Sequence, residues 1–167
     1  MSFNTHKDFS LGYTWIKIFT HHARGAMFDR ADFREDYLSW NKDDPDSLRF
    51  SILDQLENYK KNDVFHLRIC FPDYTEDHPF PCNEWEQSSN FVKEQTVRGF
   101  KAIKLTYPKC SGDMDFVGLY KVGSSYYTVT CLSWYFSFGM TYIWGNTWEG
   151  APGKRWIPET NLWIAAG

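Results

Sequence analysis

A chain of 167 residues is long enough to bury a core, and its net charge of −3 leaves no basic footprint of a nucleic-acid binder. Its aromatic share of 19% favours strands over helices. No apolar run of about 18 residues offers a membrane-spanning helix, and the start M-S-F-N-T-H-K-D-F lacks the apolar stretch of a signal peptide, so the chain reads as cytosolic or as a mature secreted domain.

Residues 1–10 read as a loose arm. Residues 12–20, G-Y-T-W-I-K-I-F-T, read as an interior strand, because both alternating sets are partly apolar. His21 and His22 at its end point to opposite faces, which makes them poor co-ligands for one metal. Residues 25–43 mix Phe28, Phe33, Tyr37 and Trp40 with Asp29, Asp32, Glu35 and Asp36. Such acids offer Ca²⁺ the oxygen ligands it needs, but the D-x-[DN]-x-[DN]-G pattern is absent and a solvated charged face is the plainer reading.

A helix is expected over 45–61. Asp44 suits the N-cap and Pro45 the first helical position, Leu48, Ile52, Leu53, Leu56 and Tyr59 make an apolar stripe, and Asn62-Asp63 ends it. Residues 64–71, V-F-H-L-R-I-C-F, alternate cleanly, with Phe65, Leu67, Ile69 and Phe71 on one face and His66, Arg68 and Cys70 on the other. A loop with Pro72, Pro79 and Pro81 follows, carrying Asp73, Glu76, Asp77 and His78. Residues 82–90, C-N-E-W-E-Q-S-S-N, surround Trp85 with hydrogen-bonding side chains. They read either as a recognition surface or as a loop whose Asn, Gln and Ser satisfy its own backbone. Residues 98–107 form another strand and 108–115 another loop. A hairpin over 116–132 has the connection G-S-S.

Residues 134–144, W-Y-F-S-F-G-M-T-Y-I-W, read as one strand with Trp134, Phe136, Phe138, Met140, Tyr142 and Trp144 on a single face. Such a row belongs to a core or meets a ligand or partner. The following loop carries Trp148, Trp156 and Trp163 among Asn146, Glu149, Lys154 and Arg155. These tryptophans are either a site or plugs over the core. The four cysteines, Cys70, Cys82, Cys110 and Cys131, permit two disulfides in three connectivities. Pairing neighbours in sequence would close two short loops; buried free thiols are the alternative. No Cys/His spacing suggests zinc.

Four blocks together resemble a known group: L-R-F-S-I-L-D-Q-L-E-N-Y at 48–59, F-H-L-R-I-C-F-P at 65–72, N-E-W-E-Q-S-S-N at 83–90 and G-F-K-A-I-K-L at 99–105. They are similar to a group of extracellular domains of aquatic invertebrates with a W-x-Q-[ST]-S-N segment after a strand and a Trp-rich ending, to which N-L-W-I-A-A-G at 161–167 is similar in kind. The chain departs from that group at Phe91, where a proline is common, and in the aromatic density of 133–148. The resemblance implies an extracellular setting, beside adhesion or lectin-like modules, and recognition in place of catalysis.

Catalytic signatures are absent: there is no G-x-S-x-G, H-E-x-x-H, P-loop or G-x-G-x-x-G. Sugar recognition calls for an indole platform for the apolar sugar face and planar hydrogen-bonding groups for the hydroxyl rim. Trp85 with Asn83, Gln87 and Asn90 is one such set, and Trp148 and Trp156 with Asn146, Glu149 and Arg155 is another. The reading is therefore a mainly β single domain (α+β at the margin) over 11–167, antiparallel and sandwich-like, with one packed amphipathic helix. Its expected role is an extracellular, non-enzymatic module that binds a glycan or glycoprotein through Trp85, Gln87, Asn90, Asn146, Trp148, Arg155 and Trp156. It needs no cofactor unless Ca²⁺ sits at an acid cluster, and it has no nucleic-acid partner and no membrane span. A self-associating structural protein that uses the same aromatics is the alternative, with a small hydrolase behind it.

Overall fold

The computed structural model describes residues 5–8, 13–22, 38–39, 41–47, 49–72, 82–106, 115–122, 126–129, 132–135, 140–144, 154–156 and 159–166. Two antiparallel sheets dominate. The larger has seven strands: β1 (Thr5–Asp8), β2 (Tyr13–His22), β12 (Glu159–Ala165), β4 (Phe65–Cys70), β5 (Cys82–Gln87) and β6 (Lys101–Leu105) in that spatial order, with β3 (Arg49–Ser51) paired to β2 off this path. The second is a five-stranded meander of β7 (Leu119–Val122), β8 (Tyr126–Val129), β9 (Leu132–Tyr135), β10 (Met140–Trp144) and β11 (Lys154–Trp156). The mainly β, antiparallel class read from the sequence holds.

The core lies on one face of the larger sheet. The alternation of β4 puts Phe65, Leu67 and Ile69 there, all fully buried. Register carries the same face to Leu162 and Ile164 of β12, to Trp85 of β5 and to Phe19 of β2. Between Phe19 and Lys17 the pairing with β12 shifts by one, a bulge that leaves Ile18 as the extra residue. Ile18 and Phe19 thereby both join the same hydrophobic core, where the alternation of a regular strand would send them to opposite faces.

Three expectations are corrected. Thr5–Asp8 is not a loose arm but β1, paired with Tyr13–Ile16 of β2. The helix expected over 45–61 is a single 3₁₀ helix, Leu53–Tyr59, preceded by β3. Arg49, Phe50 and Ser51 pair with His21, Thr20 and Phe19, so sheet hydrogen bonds claim the stretch that the apolar stripe assigned to helix. Within the 3₁₀ helix, Leu53 and Leu56 are spaced by one three-residue turn and both are buried. The strand expected over 134–144 is two strands, β9 and β10, in which Tyr135 pairs with Met140 and Trp134 with Thr141. The single six-residue aromatic row therefore does not exist. An alternating pattern looks the same whether the chain runs straight or reverses.

After the 3₁₀ helix the chain reverses at Asn62-Asp63. Both residues have left-handed φ, 52° and 65°, and Lys61 and Val64 exchange two backbone hydrogen bonds, 2.9 and 3.0 Å. This is the two-residue reversal that Asn and Asp tolerate best after glycine, and it delivers the chain directly into β4. The hairpin expected over 116–132 is present as β7 and β8, with Val122 opposite Tyr126.

Candidate functional site

The face of the larger sheet opposite the core carries charge instead of aliphatic side chains. Register aligns Lys17, Trp163, Arg68, Glu84 and Lys104 across β2, β12, β4, β5 and β6. Arg68 is buried, with its guanidinium carbon 4.1 Å from the centroid of the Trp15 ring, a cation–π stack. Glu84, also buried, accepts from Arg68 Nη2 at 3.0 Å through Oε1, and its Oε2 lies 2.7 Å from His66 Nε2. The His66 ring meets Trp15 edge-on at 5.1 Å. Burial pushes the Glu84 carboxyl up, but the hydrogen bonds from His66 and Arg68 outweigh it and hold it below the usual carboxylate range. Lys17, 5.4 Å from the Trp163 ring centroid, has its ammonium pKa lowered by burial, an effect that Glu159 and Asp46 oppose.

This cluster fixes one wall of a cleft. The cleft has a volume of about 200 Å³ and is lined by Tyr59, Lys61, Asn62, Val64, His66, Glu86 and Ala165. The end of the 3₁₀ helix supplies Tyr59, the Asn62-Asp63 reversal supplies Lys61, Asn62 and Val64, and neighbouring strands supply the rest. His66 and Glu86 are direct partners in the β4–β5 ladder. Lys61 Nζ donates to the Ala166 carbonyl at 2.6 Å, which ties the reversal to the end of β12. His66 is 14% exposed, so its ring is held by Trp15 and Glu84 while one part meets the cleft. The lining combines a phenol ring with an amide, an imidazole, an ammonium and a carboxylate, a set able to donate to and accept from vicinal hydroxyls.

The sequence-predicted site at Trp85 is overturned. Cys82–Gln87 is an interior strand, not a loop, and Trp85 and Gln87 are both 0% exposed. Trp85 Nε1 donates to Gln87 Oε1 at 2.8 Å, and the Leu119 amide donates to the same oxygen at 2.9 Å. Gln87 Nε2 donates to the carbonyls of Ser89 and Leu119 at 2.9 and 3.1 Å, and to Ser89 Oγ at 3.1 Å. Asn90 is buried too: its Oδ1 accepts from the Val92 amide at 2.9 Å, and its Nδ2 donates to Glu57 Oε1 at 3.0 Å. The polar groups of Trp85, Gln87 and Asn90 that the sequence offered to a ligand are spent inside the protein, on its backbone and on the side chains of Gln87, Ser89 and Glu57. Gly118, at φ +103°, shows how tight the junction is, since a Cβ there would stand 2.7 Å from Gln87 Oε1.

Of the second predicted set, Asn146 and Trp148 lie outside the described residues. Arg155 and Trp156 fall in β11, opposite Ile143 and Tyr142 of β10, and not in a loop. Trp163 is in β12. The acid clusters at 29–36 and 73–77 lie outside the described residues, as do Cys110 and Cys131. Cys70 and Cys82 form a disulfide between directly opposed residues of β4 and β5. Among the described residues no helix is long and apolar enough to cross a membrane. No family model matches the chain, and no curated protein or solved structure is significantly similar to it.

Proposed function

We propose that the chain is a non-enzymatic recognition module that binds a carbohydrate, and that its site is the cleft between Tyr59 and Ala165. The observation that supports this reading most is the composition of that cleft. A ring, Tyr59, stands beside Asn62, His66 and Glu86 in a space of about 200 Å³, small for a ligand pocket and fitted to no more than a single sugar ring. The polar wall is held in place from behind, because His66 is fixed by Glu84 and Trp15. Such fixing lowers the ordering cost of binding. A disulfide between β4 and β5 is typical of proteins that work in oxidising compartments and supports an extracellular setting.

A glycan array run with Ca²⁺ and again with EDTA tests the reading. Binding that survives EDTA and falls at least tenfold in Tyr59→Ala and Asn62→Gly supports the cleft. Binding lost with EDTA moves the site to the acidic stretches at 29–36 or 73–77. A blank array together with large assemblies in size-exclusion chromatography refutes carbohydrate recognition in favour of a self-associating structural role.

A further inference from the structure

The edge of the larger sheet carries a second surface, independent of the cleft. Strand β6 is hydrogen-bonded to β5, and among the described residues no strand pairs with its other side. Lys101, Ala102, Ile103 and Lys104 are all exposed, Ile103 at 42%. Immediately before this strand, Val97 and Phe100 join Val117 and Tyr120 around an open apolar groove of about 340 Å³. Val117 is 40% exposed, and Phe100 leans on Phe116 of the core with ring centroids 6.0 Å apart.

The two sides of this edge differ in chemistry. Lys101 and Lys104 stand opposite Glu86 and Glu84, on the charged face of the sheet, whereas Ala102 stands opposite Trp85 on the core face, the side of Phe100 and the groove. An extended peptide added to the edge would present alternate side chains to those two faces. One set would meet lysines, and the other would meet Phe100, Val97 and Val117. The edge keeps a basic excess in a chain of net charge −3: Lys93, Arg98, Lys101 and Lys104 stand against Glu94, which pairs with Arg98, and the facing Glu86, while the facing Glu84 is already bonded to Arg68 and His66.

A second copy of this chain meets a charge penalty at the edge in the register centred between Ala102 and Ile103. Antiparallel pairing of two β6 strands about Ala102 and Ile103 would set Lys101 of one copy opposite Lys104 of the other, and like charges directly opposed are destabilising. The register shift at Ile103 also interrupts the edge after two residues, so it accepts a short segment and not a growing sheet.

We infer that β6 and the adjoining Val97–Phe100 groove form a docking site for a partner protein's short extended segment in which acidic and apolar residues alternate. Main-chain pairing with β6 would supply the common part of the affinity, the groove would hold an aliphatic side chain, and the lysines would select acidic neighbours.

The test uses fluorescence anisotropy with labelled eight-residue peptides on the full chain. A peptide of alternating Glu and Val should bind at least tenfold more tightly than one of the same composition with its glutamates and valines in two blocks. N-methylation at alternate backbone positions, on one edge of the peptide, should abolish binding. Lys101→Gln with Lys104→Gln should weaken it at least tenfold, and Val97→Asp should do so separately. Because these lysines are exposed, an unchanged melting temperature shows that the lysine variant is folded. Equal binding of the block peptide, or indifference to methylation, would overturn the proposal. A sulfated oligosaccharide that binds the same lysines more tightly than the alternating peptide would also overturn it, in favour of a polyanion surface.

Discussion

Gln87→Met separates a packing role from a recognition role for the W-x-Q-S-S-N segment. Methionine keeps the length and shape of glutamine and removes its donors and acceptor. Five buried groups lose a hydrogen bond at Gln87: Trp85 Nε1, the Leu119 amide and carbonyl, the Ser89 carbonyl, and Ser89 Oγ, of which only the last keeps another, from the Arg98 amide. A stranded buried polar group costs about 1–3 kcal/mol. The four left stranded would cost roughly 4–12 kcal/mol, and partial rearrangement at the junction places the expected loss near the lower end, about 4 kcal/mol. Against a typical domain stability of about 5–15 kcal/mol this is a large fraction. Denaturant unfolding should show the midpoint falling with the slope unchanged, the signature of lost native-state stability. A loss below about 1 kcal/mol would refute the pinning role. So would loss of ligand binding at full stability, which would return Trp85 and Gln87 to a ligand site.

Gly118→Ala should destabilise by about 2 kcal/mol or more, because the position is left-handed and its new Cβ meets Gln87 Oε1, an atom fixed by two donors; a neutral result in thermal unfolding would contradict the geometry. Reduction of Cys70–Cys82, or its replacement by two serines, should cost about 3 kcal/mol on the chain-entropy account, since the bridge spans a separation of 12 residues. Unfolding with and without reductant measures it. Glu84→Gln should cost about 3 kcal/mol near neutral pH by leaving Arg68 buried without its carboxylate. Its pH signature is separate. The folded carboxyl is held below its ordinary value of 4.5, so its stabilisation is present above that pH and is lost as pH falls through the depressed folded value. The wild-type stability curve should drop there, and Glu84→Gln should drop less; parallel curves would show that Glu84 does not drive the acid loss.

Legibility in the sequence followed the polarity of each strand's two faces. β4 was read almost to the residue, because Phe65, Leu67 and Ile69 alternate with His66, Arg68 and Cys70. Its neighbours β5 and β12 were not, although both lie inside the sheet. C-N-E-W-E-Q is polar on both faces, since its core face is Asn83, Trp85 and Gln87, and the hydrogen bonds that make such a face tolerable come from residues 89 and 119. Pairing of Cys70 with Cys82 was one of the arrangements the cysteine spacing allowed. The cleft had only part of its lining in one stretch of sequence. Tyr59, Lys61, Asn62, Val64 and His66 come from one stretch, 59–66, but Glu86 and Ala165 come from elsewhere, and only strand register brings them to it. The one available clue was Asn62-Asp63, which marks a helix end and a tight reversal equally well.

The position of β12 has a kinetic consequence. Residues 159–165 lie between β2 and β4, and their ladder to β2 joins residues about 140 positions apart, as Asn161 with Thr20. Strands 13–22 and 65–70 share no ladder of their own, so each has an open flank until residues 159–165 arrive. Closing so long a loop is slow relative to local pairing. During synthesis the chain must carry those two apolar strands unjoined for most of its length, exposed to wrong partners. A variant cut before residue 159 would retain nearly all of the aromatic core residues yet lack the strand that unites them, and aggregation should exceed that of any single core substitution.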